Sequence, residues 1–450
     1  MWFNCDPPNP TRILYQNDVA VTWQGVTPVY GGLVNLNNSC FLNASVQALM
    51  HLPGFVKFLA EDIAHRKGCF TLLNCVVCAL NRTHLNMSLH AAFRPIGLLN
   101  LLPKLSPLLK RGRQEDADEF IVALLDKVTE ELILREGGPA NVDFCSRQTT
   151  AVGQIFGWWS RTEGKCGDCS TSTLTYAPQT SLSLPLDDSV QSAINVRLKE
   201  VEIVEDFTCI RKCLKRVAFQ TVDFYSYPKV LRIVLNRFDN DSYKRSQPVS
   251  VEKSIVIGDA TYSFVSCVLH DGNTATEGHY TCLATRHDGK LVFINDAEIS
   301  EAKGLFGLNS PKCKREVYVL FYQFHHMKVH SIKRALAKTP SNALSPLRKK
   351  IHSSPMKRSL EKRGKKLTFS PKKFKRKVGS LMHSILPSKP KLFKGDDILA
   401  KPLPEKKESW IMKLACNRGM SDEEVRNILK YDLPHFAKSD TSVFLPNHRN

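Results

Sequence analysis

The sequence predicts an α+β fold in which helices come first along the chain and strands follow. Residues 40–52 and 114–134 carry apolar side chains at helical spacing. After residue 180 the chain instead repeats short runs that are rich in β-branched and aromatic residues. Because the two kinds of segment are separated along the chain and do not alternate, the pattern favours an α+β domain over a parallel α/β sheet.

The two predicted helices have clear ends and one buried face each. The first, CFLNASVQALMHL, is stopped by Pro53 and Gly54. The second, QEDADEFIVALLDKVTEELIL, begins with an acidic turn that suits the positive end of the helix dipole. The side chains expected on the buried face of the second helix are Phe120, Leu124, Val128 and Leu132.

Six later segments predict strands, because they combine β-branched and aromatic residues and are bounded by turn-forming residues. They comprise residues 181–186, 229–238, 262–270, 278–286, 290–296 and 316–322. No internal repeat is evident in the sequence, so these strands are expected to belong to one domain.

The composition is that of a soluble globular protein, with 42% hydrophobic and 24% charged residues in a chain of 450. No apolar run approaches the roughly 18 residues that a membrane-spanning helix needs, and the first ten residues lack the pattern of a secretory signal. We therefore expect a protein of the cytosol or nucleus with no membrane partner. The 14 cysteines include several close pairs, which in a reducing compartment favour metal binding or burial over disulfides.

The net charge of +20 is concentrated at one end of the chain. Residues 325–450 hold 30 Lys and Arg against 10 Asp and Glu, whereas residues 1–324 hold 33 of each. We predict an N-terminal leader at 1–29, a folded domain at 30–323 and a basic, largely disordered tail at 324–450. Ser421 and Glu424 form a capping-box pattern that predicts a short helix at 421–430 within that tail.

One cysteine and one histidine stand in positions suited to nucleophilic catalysis. Cys40 follows the turn GGLVNLNNSC and opens a helix, whose positive end favours the thiolate. By position alone, however, a buried structural cysteine is the commoner case. His279 lies in the strand-like segment EGHYTC, and Asn295 and Asp296 end the next strand. Paired strands would bring them within reach of the imidazole, as a nucleophile, base and orienting residue require.

Five motifs together resemble the ubiquitin-specific protease family. GLVNLNNSCFLNASVQAL is similar to the cysteine box of that family, and HDGNTATEGHYTC followed by FIND is similar to its histidine box. RQEDADEF, YPKVLRIVLNRF and EVYVLFY match further motifs in the expected order. The resemblance covers residues 30–322. It implies a papain-like cysteine protease fold with a helical thumb, a β-rich palm and fingers, and a reaction that needs no cofactor.

The resemblance also implies a role for each residue of the site. Cys40 attacks the carbonyl carbon of the last ubiquitin glycine, and His279 acts first as general base and then as general acid. Asn295 orients the imidazole, with Asp296 able to share that work. Asn35 donates to the oxyanion together with the backbone N–H of Cys40.

Two residues of the cysteine box depart from the usual family sequence. Asn37 stands where the family has Gly, and Ser39 stands where it has Thr. Asn tolerates positive φ better than most residues, and Ser keeps the hydroxyl group. We therefore expect an active enzyme.

The resemblance implies a substrate-binding group around the start of the second predicted helix. Gln114, Asp116 and Glu119 should face the ubiquitin tail, whose two arginines can pair with acidic groups. An equally good interpretation is that these acids only complement the helix dipole. Tyr280, next to the histidine, is assigned to the substrate channel as well.

Two groups of cysteines have the spacing of metal ligands. In the family, two cysteine pairs in the fingers often hold zinc; here these are Cys166-x2-Cys169 and Cys209-x3-Cys213, with free thiols as the alternative. The second group, Cys69, Cys75, Cys78 and His84, lies in an apolar segment and predicts a buried helix more strongly than a second metal site. His270 also matches the family pattern and is expected to have a structural role.

The basic tail suggests a location and additional partners. Residues 348–377 hold 14 Lys and Arg and one acid, a run typical of nuclear localisation signals and of binding to RNA or another polyanion. In this the chain resembles nuclear and nucleolar family members that act on histones or ribosome-associated proteins. We predict a nuclear deubiquitinase. The alternatives are a protease for another ubiquitin-like modifier that ends in Gly-Gly, and a non-catalytic nucleolar scaffold that reads ubiquitin.

Overall fold

The computed structural model describes residues 7–61, 69, 75–211, 213, 216–239 and 243–327. The predicted tail beyond residue 327, with its expected disorder and its short helix at 421–430, lies outside the described residues. Within them, helices fill the first half and strands the second, so the predicted α+β class is confirmed. None of the helices in this part of the chain is both long and apolar enough to cross a bilayer.

The helical half surrounds one completely buried helix. Every residue of α1 is buried, and the segment CFLNASVQALM therefore forms the centre of this half. The described α-helices in chain order are α1 Cys40–Met50, α2 Pro53–Glu61, α3 Val76–Leu89, α4 Ile96–Leu105, α5 Ala117–Arg135, α6 Phe144–Arg147, α7 Ala151–Phe156, α8 Val190–Lys199 and α9 Pro311–Glu316.

The strands form one large sheet, one smaller sheet and a short parallel pair. In chain order they are β1 Gly32–Leu33, β2 Ala92–Phe93, β3 Trp158–Cys166, β4 Ser172–Gln179, β5 Leu182–Leu184, β6 Glu202–Glu205, β7 Val217–Phe224, β8 Val230–Leu235, β9 Ser254–Ile257, β10 Ala260–Thr274, β11 Glu277–Thr285, β12 Leu291–Asn295, β13 Glu298–Glu301 and β14 Val317–Met327. The pair is β1–β2.

The large sheet is the palm, and it contains all six of the strands predicted from the sequence. Its order is β13-β12-β11-β10-β14-β8-β5, with β9 paired to β10. All its pairings are antiparallel except that of β5 with β8. The last strand, β14, continues to Met327, which pairs with Ala260. The folded domain therefore extends past the boundary predicted at residue 323.

The smaller sheet, in the order β4-β3-β7-β6, forms the fingers. Its strands were not predicted individually. The buried apolar cluster at the end of this sheet is small and consists of Cys166, Phe207, Cys209 and Ala218. Since so few apolar side chains are buried there, the finger sheet has little hydrophobic stabilisation of its own.

Side-chain contacts join the helical half to the palm. In α1, the backbone carbonyl of Ala48 accepts a hydrogen bond from the Ser266 hydroxyl on β10. On β8, Arg232 is 2% exposed and lies 2.5 Å from the carboxylate of Asp118 on α5. The first contact joins the helix that carries Cys40 to the sheet that carries His279, and the second joins α5 to the same sheet.

Residues 7–29, most of the predicted leader, pack against the folded domain. The backbone N–H groups of Leu14 and Tyr15 donate to the side chain and the carbonyl of Thr149, respectively. Val26 and Val29 are buried in the main apolar core. This segment is therefore part of the domain's surface layer.

Candidate active site

Cys40 begins the central helix after a tightly turned loop. The residue is 1% exposed, and the two preceding asparagines, Asn37 and Asn38, have φ values of 55° and 63°. Asn is among the residues that adopt this left-handed region most readily, which explains how Asn37 stands in for Gly. The Ser39 hydroxyl does not cap α1 and accepts from the N–H of Leu36 at 2.8 Å. The Ser39 hydroxyl thus holds the loop in place.

His279 and Asn295 meet across two neighbouring strands of the palm. β11 and β12 are antiparallel, as predicted, and His279 Nε2 lies 2.6 Å from Asn295 Oδ1. The pKa of His279 is raised to about 9, chiefly by a hydrogen bond with Cys40. The contact with Asn295 raises this pKa further, and partial burial of the imidazole lowers it. An imidazolium beside a cysteine stabilises the nucleophilic thiolate. The three side chains are thus arranged as a nucleophile, a base and an orienting residue would need to be.

Asp296 contacts Asn35, the residue expected to face the oxyanion, more closely than it contacts His279. Its Oδ2 accepts from Asn35 Nδ2 at 3.0 Å but lies 3.9 Å from His279 Nε2. Its Oδ1 accepts from Asn43 Nδ2 at 2.8 Å. Asn35 Oδ1 in turn accepts from the N–H of Ser39 at 3.1 Å. An amide group carries two N–H donors, so Asn35 keeps one for an oxyanion.

Asn43 is a contributor to the site that the sequence analysis missed. It is 1% exposed, lies one helical turn after Cys40, and also donates to the carbonyl of Leu33 at 3.1 Å. The available signal was a polar side chain within a helix that is otherwise mostly apolar and small. A buried amide needs partners, and the Asp296 carboxylate is the partner that the fold supplies.

The family model that matches is "Ubiquitin carboxyl-terminal hydrolase", and the match runs over residues 31–322. The chain belongs to the ubiquitin carboxyl-terminal hydrolase family. This hydrolase domain includes every residue assigned above to the nucleophile, the base and the oxyanion side.

Two relatives illustrate how far the hydrolase resemblance extends. Ubiquitin carboxyl-terminal hydrolase 36 of Drosophila melanogaster is 28% identical over 341 residues, covering 70% of this chain and 32% of the relative. Ubiquitin carboxyl-terminal hydrolase 17-like protein B of Mus musculus is 28% identical over 332 residues, covering 70% of this chain and 68% of the relative. The matched region thus spans about a third of the length of the Drosophila relative.

The hydrolase fold is also found among solved structures. A chain in the SAGA Ubp8/Sgf11/Sus1/Sgf73 DUB module bound to ubiquitin aldehyde matches with a TM-score of 0.56 and 21% identity. The match covers 66% of this chain and 70% of that chain. The same module bound to monoubiquitin gives a TM-score of 0.57 at 22% identity. These similarities show the shared fold, with its palm and fingers.

Of the four residues predicted to bind substrate, two are accessible to a ligand and two are buried. Glu119 is exposed in the first turn of α5, and Gln114 Nε2 donates to the carbonyl of Gly278 at 2.5 Å, beside His279. Asp116 is buried and caps α5 by accepting from the N–H groups of Asp118 and Glu119. Burial raises the pKa of Asp116 to about 6. The assignment of Asp116 to substrate binding is therefore corrected to a helix cap.

Tyr280 is the second correction among the predicted substrate-binding residues. It is 1% exposed, and its hydroxyl donates to the carbonyl of Ala275 at 2.7 Å. Its ring lies 4.4 Å from that of His270, which is itself fully buried and has its pKa lowered to about 4 by burial. Tyr280 and His270 therefore shape the turn before His279, as was expected for His270 alone.

Glycine is required in that turn by two neighbouring chain segments. Gly278 has a φ of 133°, and a Cβ atom there would lie 2.3 Å from the carbonyl oxygen of Asp271. A side chain would therefore clash with the backbone and displace His279, the next residue in the chain.

The four finger cysteines converge, so they could hold a metal ion. The sulfurs of Cys166, Cys169, Cys209 and Cys213 all lie within 4.8 Å of one another, and Cys169 Sγ is 3.5 Å from Cys209 Sγ. Tetrahedral zinc with four thiolates would place the sulfurs roughly 3.8 Å apart. The extra residue between Cys209 and Cys213 has not prevented this geometry.

The other predicted group, Cys69, Cys75, Cys78 and His84, is only partly brought together. The sulfurs of the three cysteines lie within 4.8 Å of one another. His84 faces elsewhere, with its Nε2 2.9 Å from the carbonyl oxygen of Thr27. Of the buried helix expected in this segment, the part from Val76 onward is present as α3, and residues 70–74 lie outside the described residues.

Proposed function

We propose that this chain is a thiol-dependent ubiquitinyl hydrolase that cuts the isopeptide or peptide bond after the C-terminal glycine of ubiquitin. The observation that carries the proposal is the grouping of Cys40, His279 and Asn295 at the junction of the helical half and the palm, in a domain of this family. The chemistry uses only side chains and the backbone of the protein.

In the proposed reaction, each step is carried out by one group of the site. The Cys40 thiolate adds to the carbonyl carbon of the last glycine. The resulting oxyanion accepts hydrogen bonds from the N–H groups of Asn35 and of the start of α1. The imidazolium of His279 gives its proton to the departing amine, which leaves a thioester. His279 then takes a proton from water, whose oxygen attacks the thioester and releases the ubiquitin carboxylate and Cys40.

Binding of the ubiquitin tail rests on the available residues near His279. The exposed carboxylate of Glu119 is suited to a guanidinium of the tail. Gln114 anchors the backbone of Gly278 and borders the same path to Cys40. A path bordered by backbone at Gly278 favours a Gly-Gly end, because glycine lacks the side chain that would clash there.

A structural zinc ion in the fingers belongs to this proposal. The four thiolates of Cys166, Cys169, Cys209 and Cys213 are the ligand set that zinc favours in structural sites. When bound, zinc supplies cross-linking of the finger strands and takes no part in the bond cleavage.

A panel of modifiers tests the substrate. Purified full-length protein is incubated with ubiquitin and with other Gly-Gly-ending modifiers, each carrying a fluorogenic group on its C-terminus. Faster turnover of ubiquitin than of any other modifier supports the proposal, and preference for another modifier contradicts the substrate assignment. Retained ubiquitin binding without any turnover would instead indicate a scaffold that reads ubiquitin.

The proposed location is the nucleus, including the nucleolus, with histones or ribosome-associated proteins as the substrate class. This rests on the 14 Lys and Arg of residues 348–377, a charge density suited to import receptors and to polyanions such as RNA. Replacing those basic residues with Gln should disperse the protein to the cytoplasm while a chain ending at residue 327 keeps its turnover of ubiquitin. Unchanged nuclear accumulation would contradict the location.

A further inference from the structure

A second group of sulfur atoms converges in the helical half, remote from the fingers. The Sγ atoms of Cys69, Cys75 and Cys78 all lie within 4.8 Å of one another. Cys75 is the N-cap of α3, and Cys78 lies in its first turn. Three thiols from two separate places in the chain thus meet at one point beside the start of a helix.

The local geometry at this cluster resembles that of the finger cysteines. Cys75 and Cys78 have the x2 spacing of Cys166 and Cys169. Cys75 Sγ accepts from the N–H of Cys78 at 3.3 Å, just as Cys209 Sγ accepts from the N–H of Arg211 at 3.4 Å. Backbone N–H groups that point at sulfur stabilise negative charge on it, and metal ligation requires the thiolate form.

A carboxylate adds further negative charge at the same place. The Cys75 thiol donates a hydrogen bond to Glu131 Oε2 on α5 at 3.2 Å. The carboxylate also accepts from the N–H groups of Val76 and Val77, at 3.0 and 3.3 Å, which fixes it at the start of α3. Loss of the thiol protons would leave three thiolates and a carboxylate close together, a charge that a thiophilic cation balances best.

We propose that Cys69, Cys75 and Cys78 bind a second structural zinc ion, with an oxygen donor as the fourth ligand. Glu131 is a positioning residue that holds the Cys75 end of α3. This site goes beyond the proposed hydrolase function, which needs no metal in the helical half. Zinc fits because thiolate-rich ligand sets of this spacing are typical of structural zinc.

The position of the cluster indicates what the ion stabilises. At its other end α3 supports the approach to the active site, because the Met87 carbonyl accepts from the N–H groups of Tyr30 and Gly31 at 3.0 and 2.8 Å. These residues lead through β1 into the loop that carries Asn35. A helix of 14 residues spans about 21 Å, so the ion would act on stability and not on bond cleavage.

The test is the number of zinc ions per chain in full-length protein purified without chelator and measured by mass spectrometry of the metal. The proposal predicts two in the wild type. A Cys69→Ser, Cys78→Ser double variant should hold one, and a Cys209→Ser, Cys213→Ser double variant should also hold one. Cys145→Ser is the matched control, because Cys145 lies outside both clusters, and it should keep two.

The two outcomes that overturn this inference are separable from failure of the proposed function. One zinc per wild-type chain that disappears in the Cys209→Ser, Cys213→Ser variant shows that the fingers alone bind metal. A count of two that the Cys69→Ser, Cys78→Ser variant keeps excludes these cysteines as ligands. If that variant does not fold, stepwise displacement of zinc from the wild type by a mercurial thiol reagent gives the count; release of only one ion contradicts the proposal, whether or not ubiquitin is cleaved.

Discussion

The body of the domain and its fingers are held together in different ways. The helical half and the palm bury two large apolar clusters, which include Phe41 in α1 and Tyr322 in β14. The finger sheet buries only a few apolar side chains and leaves Ile203 and Phe219 exposed at 66% and 44%. Hydrophobic burial therefore stabilises the body, whereas the fingers bury few apolar side chains and hold four converging cysteines that a metal ion could cross-link.

This difference also divides the work of the protein. Cys40, His279 and Asn295 all lie in the body, where packing holds His279 within hydrogen-bond distance of both Cys40 and Asn295. The fingers contribute none of these groups. The proposed chemistry therefore belongs to the body, whereas the fingers hold the cysteine cluster that could bind a metal ion.

Removing the nucleophile should give the largest effect. Cys40→Ala is expected to abolish turnover of a ubiquitin substrate while ubiquitin binding survives, because the nucleophile is lost and the binding surface is intact. Turnover assays and binding measurements on the same preparation provide the check. Cys145→Ser, a change at a cysteine outside the site, should leave turnover unchanged. Full activity of Cys40→Ala would contradict the proposal that Cys40 is the nucleophile.

Changing the finger cysteines should affect binding more than chemistry. Cys209→Ser combined with Cys213→Ser should release the finger metal ion and raise KM for ubiquitin more than it lowers kcat, since all assigned catalytic groups are in the body. Steady-state kinetics with metal analysis give the answer. A large fall in kcat with unchanged KM would show that the fingers and the catalytic site are coupled. That result would contradict the proposed division of roles between the body and the fingers.

A buried ion pair of the body and an exposed ion pair of the fingers should differ in their contribution to stability. Arg232 pairs with Asp118 at 2% and 23% side-chain exposure, and Arg161 pairs with Asp223 at 41% and 60%. Arg232→Ala should lower the free energy of unfolding by about 3–5 kcal/mol because it leaves a largely buried carboxylate unpaired. Arg161→Ala should cost about 0–1 kcal/mol. Denaturant unfolding measures both, and equal losses would contradict the contrast.

The smallest predicted effect is a shift in pH dependence. The pKa of His279 is raised to about 9, so the imidazole stays protonated below that pH and loses its proton as the pH rises through it. Activity should therefore decline on the alkaline side near pH 9. Asn295→Ala removes one contact that raises this pKa, so the decline should move to lower pH. An identical alkaline decline in both proteins would remove Asn295 from this role.

The body was more predictable from sequence than the fingers, for a physical reason. Six palm strands and the helices α1 and α5 carry continuous or periodic apolar patterns because they are buried in a core. In the fingers, β6 has no buried residue and β4 has one, so the apolar pattern of these strands is weak. In the fingers only the cysteine spacing indicated a structure, because that spacing is typical of metal ligands.

The site could be proposed from sequence where its chemistry shows in residue type. Cys40, His279, Asn295 and Asn35 stand out as reactive or polar residues in recognisable motifs. Asp116 was misassigned because an acidic residue that caps a helix and one that faces a substrate look alike in sequence. The sequence grouped Cys69, Cys75 and Cys78 with His84, but His84 Nε2 lies against the carbonyl of Thr27, a contact with a distant part of the chain that no local pattern encodes.

The most direct measurement is labelling with ubiquitin whose C-terminus carries an electrophile. The reagent is mixed with full-length protein, and the modified residue is located by peptide mass spectrometry. One ubiquitin per chain, attached to Cys40 and absent from the Cys40→Ala variant, is the predicted result. Attachment to any other cysteine, or equal labelling of Cys40→Ala, would contradict the assignment of this site as a ubiquitin hydrolase centre.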